Sequence, residues 1–329
     1  MTNPEVPPPV VTVAGHSLLP GSRTEFELRP AKLPSGGWMA IPVVAFRGRQ
    51  DGPTVWISSA IHGDEVGGVE IVRQVLGHLD PNEMAGTLLA VPVVNVPGFA
   101  VGDRYMPDRR DLNRCFPGSP RGSLASRFAH KFMSEIVESC DLGIDLHTGS
   151  DHRQNHPQIR GNFRDPKIRE LADVFAAPCS LDAKLRTGSL REAASRIRVP
   201  SLLFEAGEAW RFDDYAITVG VSGILRTLAH VGMIKPLREP APEPTEYLDN
   251  ARWVRSPSSG VARMMVELGQ SVSSSDVIAM VSDASGSNTR LVKAKVEGMV
   301  IGRNVMPIVH RGDALVNIGR RVPATVPPQ

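Results

Sequence analysis

An α/β fold is predicted for this chain of 329 residues: a largely parallel sheet with helices on both faces, followed by a small all-β domain. Three observations carry it. Between residues 37 and 234, short β-branched, apolar runs alternate with longer stretches whose apolar residues recur at helical spacing, the pattern of strands joined by crossover helices. A proline-rich, charged segment follows at 235–246. From 247 onward the runs are short, β-prone and punctuated by glycines.

The elements follow in order. Proline-rich residues predict an irregular N-terminal arm, which with an edge strand fills 1–36. GWMAIPVVAFR (37–47) predicts a strand, and Gly52-Pro53 marks the turn to TVWISSAI (54–61), whose composition suits burial on both faces. That strand runs into HGDE and then a helix, EVGGVEIVRQVLGHL. TLLAVPVVNV (87–96) is another buried strand. A helix at 123–139, entered by Ser123, leads into DLGIDLH (141–147), a short buried strand. DHRQNHPQ after it predicts a flexible polar loop. PKIRELADVFA (166–176) and SLREAASRI (189–197) predict helices, SLLFEAGE (201–208) a strand, and 212–232 a long helix. KPLREPAPEPTE (235–246) predicts a stiff linker. Within 247–329, residues 259–281 and 297–318 form a weak repeat, as in a pseudo-symmetric barrel or sandwich.

Composition narrows the class. A hydrophobic fraction of 41% and a charged fraction of 22% are those of a globular protein. A formal net charge of +2, from 37 basic and 35 acidic residues, gives no basis for a nucleic-acid or membrane partner. Cys115, Cys140 and Cys179 are odd in number and widely spaced, which suggests neither a disulfide scaffold nor a thiolate metal site. A reduced, cytoplasmic setting is expected. The N-terminus lacks the features of a signal peptide, and no apolar run approaches a membrane span.

Chemistry gathers at predicted strand ends. His62 and Glu65, three apart, follow a buried strand, and ligands in open α/β sheets bind at the carboxyl ends of strands. Imidazole and carboxylate are suitable zinc ligands, and a catalytic zinc takes three protein ligands plus water. His147, ending another buried strand, is the expected third.

HGDE, DLNR, DLHTG and FEAGE, in that order, resemble the succinylglutamate desuccinylase/aspartoacylase family of the zinc carboxypeptidase-like superfamily. The resemblance covers roughly 40–235 and extends to the small C-terminal β domain. It implies a mixed, mostly parallel sheet flanked by helices, and one zinc ion per chain on His62, Glu65 and His147. Asp111 matches the carboxylate that orients the first zinc histidine. Asn113 and Arg114 match the pair that grips the substrate carboxylate, which a planar guanidinium can bind bidentately. Arg104 matches the oxyanion-stabilising arginine. The spacing there departs from the family's, so Arg109 and Arg110 stay open as substitutes. Glu205 matches the catalytic glutamate, and its place at the end of an apolar strand suits a general base; Glu208 is its competitor.

The implied activity is hydrolysis of an N-acyl amino acid or a similar small carboxylate-bearing amide, with esters chemically open. With a metal ion supplying an activated water, Glu205 takes the proton as the water attacks the carbonyl. Arg104 steadies the oxyanion, and Glu205 returns the proton to the leaving amine. A metallocarboxypeptidase acting on peptides and a non-catalytic binding protein are the alternatives. Homo-oligomerisation stays open. His152 and His156 are expected in the polar loop rather than on the metal. Arg153 and Arg160 are expected to be loop arginines before contacts for an acidic acyl group. A lipoyl-type carrier role is disfavoured, since the hairpin SDASGSNT (282–289) has no lysine and Lys293 and Lys295 fall in the strand after it.

Overall fold

The computed structural model describes residues 9–150, 152–238 and 240–322; the N-terminal arm up to residue 8 lies outside them. A small hairpin, β1 (Val11–Val13) and β2 (His16–Leu18), precedes β3 (Ser22–Lys32) and β4 (Trp38–Arg47), which pair antiparallel. There follow β5 (Gln50–Ser59), α1 (Gly67–Gly77), β6 (Ala85–Val91), α2 (Val96–Val101), α3 (Leu124–Glu135) and β7 (Leu142–Gly149). Next come β8 (Arg153–Gly161), α4 (Pro166–Phe175), β9 (Cys179–Asp182), α5 (Leu190–Arg196), β10 (Ser201–Glu208) and α6 (Asp214–His230). The Ser123 hydroxyl caps α3 by accepting from Ser126 N, and Asp213 caps α6 by accepting from Ala216 N.

The remaining strands are β11 (Glu246–Arg255), β12 (Gly260–Met264), β13 (Ser271–Val272), β14 (Val277–Ser282), β15 (Arg290–Lys293), β16 (Gly298–Asn304), β17 (Ile308–Val309) and β18 (Ala314–Arg321). The main sheet runs β3-β4-β6-β5-β7-β10-β8-β9-β11-β18-β16-β13. It is mixed. Strands β6, β5, β7 and β10 are parallel, as are β8, β9 and β11, but β10 and β8 meet antiparallel. The expectation of a mostly parallel sheet is therefore corrected. At β10–β8 the physical cause is connection length: a strand parallel to its predecessor needs a crossover of about a dozen residues or more, and the stretch from β7 to β8 is too short to do anything but reverse the chain, so β8 runs against both β7 and the β10 that lies between them.

Helices cover both faces. Ile71, Val72, Phe175 and Ile224 pack on one side with Ile57 and Phe204, while Phe128, Phe132, Leu190 and Ala194 pack on the other with Trp56. Neighbours Trp56 and Ile57 on β5 thus serve opposite cores, as the strand's alternation requires. The Trp56 indole lies so close to the backbone of β7 that a Cβ at Gly143 would stand 1.8 Å from its Cε2. Gly143→Ala is expected to cost about 1–3 kcal/mol by overpacking, read as a lower urea midpoint at unchanged slope. A wild-type midpoint would mean the indole can move aside.

Residues 236–238 and 240–245 hold no regular element, and the chain then re-enters the main sheet through β11, parallel to β9. Because β16 also pairs with β8, strands β8, β9, β11, β18 and β16 close into a ring. Cys179, Leu181, Leu248, Met299 and Ile301 form a small core of their own within these strands. The sequence repeat appears as two long–short–long strand sets, β12-β13-β14 and β16-β17-β18, each lending its short strand to the other's first: β12 pairs with β17 and β16 with β13. Among the described residues, no helix is long and apolar enough to cross a membrane.

Candidate functional site

Strands β5, β7 and β10 lie side by side, and the candidate residues stand at or beyond their carboxyl-terminal halves. Beyond β5, a turn in which Glu65 N donates to His62 O, 3.1 Å away, brings those two side chains together. His147 stands near the end of β7, and Glu205 is its register partner on β10.

One atom from each of His62, Glu65 and His147 lies within 4.8 Å of the others, all three residues buried. The Nδ1 atoms of both imidazoles face Glu65, His62 at 2.7 Å from Oε1 and His147 at 2.7 Å from Oε2. The outer nitrogens are each held by a further carboxylate. His62 Nε2 is 3.0 Å from Asp111 Oδ1, and His147 Nε2 is 2.9 Å from Asp145 Oδ2. Asp145 in turn accepts from the Ser58 hydroxyl at 2.7 Å, across the β5–β7 register pair. Such outer carboxylates fix the ring orientation and raise the basicity of the inner nitrogen.

Sequence reading found Asp111 but missed Asp145. The signal was there: two residues before His147 on a strand, a side chain shares its face.

The electrostatics follow from burial and contact. Burial pushes the Glu65 carboxyl up, but His62 and His147 overcome it and hold the group well below the usual carboxylate range. Burial likewise opposes ionisation of Asp111, yet the His62 contact and Arg104 hold it low. Both imidazoles are raised against the pull of burial, His62 by Glu65 and Asp111, His147 further by Asp145 and Glu65. Arg104 braces the group, donating from Nη1 to Glu65 Oε1 at 3.2 Å and from Nη2 to Asp111 Oδ2 at 3.1 Å.

His62, Glu65, Arg104 and His147 line a cavity of about 1100 Å³, together with Asn113, Arg114 and Glu205. Arg104 lines it, whereas Arg109 and Arg110 do not; Glu205 lines it, whereas Glu208 lies by Arg211, 3.5 Å away. The turn Leu112–Arg114 seats Asn113 between the site and α5: its Oδ1 accepts from Leu190 N at 2.9 Å, and its Nδ2 is 3.5 Å from His147 Nε2. Arg114 donates to Asn113 O and lies 3.9 Å from Asp111. Arg160, Arg186, Arg191 and Arg320 add further cationic wall, and burial with Arg160 nearby lowers Arg191 to about 10. The cavity is basic in balance, suited to an anionic ligand.

From Arg153 onward the polar segment after β7 is not a loop. It forms β8, wedged between β10 and β9, because backbone partners on both sides satisfy a strand whose Arg153, Asn155, Gln158 and Arg160 face the cavity. Arg160 on it reaches Glu205 Oε2 at 2.8 Å, and Arg153 lies over the Trp253 ring, 5.4 Å from its centroid. His156 is buried, 6.3 Å from the Tyr215 ring, and does not line the cavity. The far strands complete the wall with Asp249, Trp253 and Asn317.

Several known proteins are similar to this chain in sequence or in fold. N-alpha-acetyl-L-2,4-diaminobutyric acid deacetylase of Halomonas elongata is 29% identical over 302 residues, 87% of either chain. The crystal structure of a succinylglutamate desuccinylase/aspartoacylase from Rhodobacter sphaeroides superposes with a TM-score of 0.81 at 25% identity, covering 92% of this chain and 96% of that one. The product-bound ectoine utilization protein of Ruegeria pomeroyi gives 0.80 at 24% identity, covering 90% and 95%, a likeness of fold. Residues 51–231 match the succinylglutamate desuccinylase/aspartoacylase catalytic domain, a span that carries both histidines, both glutamates and the DLNR turn, and on that match the chain belongs to this family of deacylating hydrolases.

Proposed function

We propose that this protein is a zinc-dependent hydrolase that cleaves the amide bond of an N-acyl amino acid or a similar small, carboxylate-bearing substrate. The observation that carries the reading is the convergence of His62, Glu65 and His147 in one cavity with Arg104, Arg114 and Glu205. The donor set fits zinc, two imidazoles and one carboxylate being a common catalytic set that leaves a position open. When bound, such an ion lowers the pKa of a water and polarises a carbonyl. The chain's own groups do the rest. Arg114 seats the substrate carboxylate, with Asn113 beside it. Arg104 stabilises charge developing on the carbonyl oxygen. Glu205 takes a proton from the attacking water and returns it to the departing nitrogen.

A peptide groove is not favoured, because Asp249, Trp253 and Arg320 wall the cavity on its far side. The test is a screen of N-acetyl, N-succinyl and N-formyl amino acids beside short peptides and esters, using zinc-loaded protein. The deacetylase name of the Halomonas relative puts N-acetyl amino acids first. Turnover of peptides alone would overturn the reading.

The metal has its own test. Elemental analysis is expected to find about one zinc per chain, since the three ligands make one site, and to find it lost from His62→Ala and from His147→Ala. Full occupancy in the double variant would remove the assignment.

A further inference from the structure

Glu205 is gripped from β8 at both oxygens. Asn155 Nδ2 donates to Oε1 at 2.7 Å, and Arg160 Nη1 donates to Oε2 at 2.8 Å. Asn155 is buried, 7% exposed. In the ring of strands its other neighbour is β16, whose Gly302 stands opposite it in register. A Cβ at Gly302 would come within 2.9 Å of Asn155 Oδ1, so the bare backbone at 302 leaves the room that the amide occupies. The two strands are fastened on either side of this contact. Arg303 Nε donates to Gln154 Oε1 at 3.1 Å, Gln158 Nε2 to Ile301 O at 3.2 Å, and Val305 N to His152 O at 2.8 Å.

We infer that Asn155 is a positioning residue for Glu205, and that β16, through Gly302, sets where Asn155 holds its amide. The physical reason is rotamer freedom. A glutamate tied by Arg160 alone can pivot about one oxygen, whereas a second donor on a rigid strand fixes the plane of the carboxylate before the reaction begins. A neutral amide does this without adding charge beside the base. The far strands, which supply no metal ligand, thereby acquire a part in the chemistry. This inference rests on the reading of Glu205 as the proton acceptor.

The test is a double-mutant cycle on the full-length, zinc-loaded protein, assayed on an N-acetyl amino acid that the wild type turns over. Asn155→Ala is expected to lower kcat by about ten- to a hundredfold, the range for losing a hydrogen bond to a charged group. KM, zinc content and Tm should stay near wild type. Gly302→Ala, which removes no polar group, should lower kcat several-fold by displacing the amide. The double variant should be no worse than Asn155→Ala alone, because the methyl then has nothing to push. Losses that multiply would overturn the link to β16. A kcat within about twofold of wild type in Asn155→Ala, or a loss carried by KM, would overturn the positioning role. Should Asn155→Ala not fold, Gly302→Ala decides: lowered kcat at unchanged Tm and KM supports the inference, and unchanged kcat overturns it. Glu205→Gln run in parallel separates the two claims. If it is active, the base assignment fails; if it is inactive while Asn155→Ala is not, only the positioning claim does.

Discussion

Glu205→Gln is expected to keep fold and zinc while losing about 10²–10⁴-fold in kcat, the usual worth of a positioned general base. The substitution is nearly isosteric, and an amide oxygen can still accept from Asn155, the nearer of the two donors at 2.7 Å. What it removes is the capacity to take a proton. Glu208→Gln should leave turnover near wild type, since that side chain sits by Arg211 and outside the cavity. The pair of variants, assayed with zinc content measured on each, decides the matter. If Glu208→Gln is the inactive one, the proton acceptor has been placed on the wrong glutamate.

Arg114→Ala should cut kcat/KM by about a hundredfold for substrates with a free carboxylate. Breaking a buried charge pair typically costs about 3–5 kcal/mol. The Arg114 side chain is 35% exposed, so solvent screening brings the expectation toward the lower end, and about 1.4 kcal/mol corresponds to tenfold. The matching carboxamides, poor from the outset, should lose far less. Lysine at 114 should rescue only in part, because a point charge lacks the planar fork. Comparing acid and carboxamide forms of one substrate on wild type and both variants tests it. Equal losses for the two forms would make Arg114 a structural residue and remove the amino-acid half of the substrate assignment.

Between residues 37 and 234 the elements were legible because apolar periodicity there reports burial directly. Strand β8 was not. Its sequence, RQNHPQIRG, carries a proline and has almost no apolar alternation, since part of it faces a charged cavity rather than a core; tertiary partners override propensity at such a position. Strand β9 is too short to announce itself. At the site, His62, Glu65, His147 and Asp111 sit in compact motifs and could be read. Asn155 and Arg160 could not, because their roles depend on β8 lying beside β10, a pairing that no local pattern encodes. The ring had no local signature either: a proline-rich segment reads as a linker, whereas the chain beyond it returns to pair with β9.

That ring also bears on the order in which the protein becomes competent while it is being made. Chains emerge from the ribosome N-terminus first and fold as they do, and contacts between distant residues close late because loop-closure entropy opposes them. His62, Glu65 and His147 are all synthesised before β8 begins, whereas Gly302, the neighbour of Asn155, arrives long after Glu205. The residues that could hold a metal are therefore all in place in the chain well before the last strand can close on β8. On the proposed reading, the metal-holding residues are made first and alignment of the proton acceptor waits for the last strands, so a chain still lacking β16 would be a weak hydrolase.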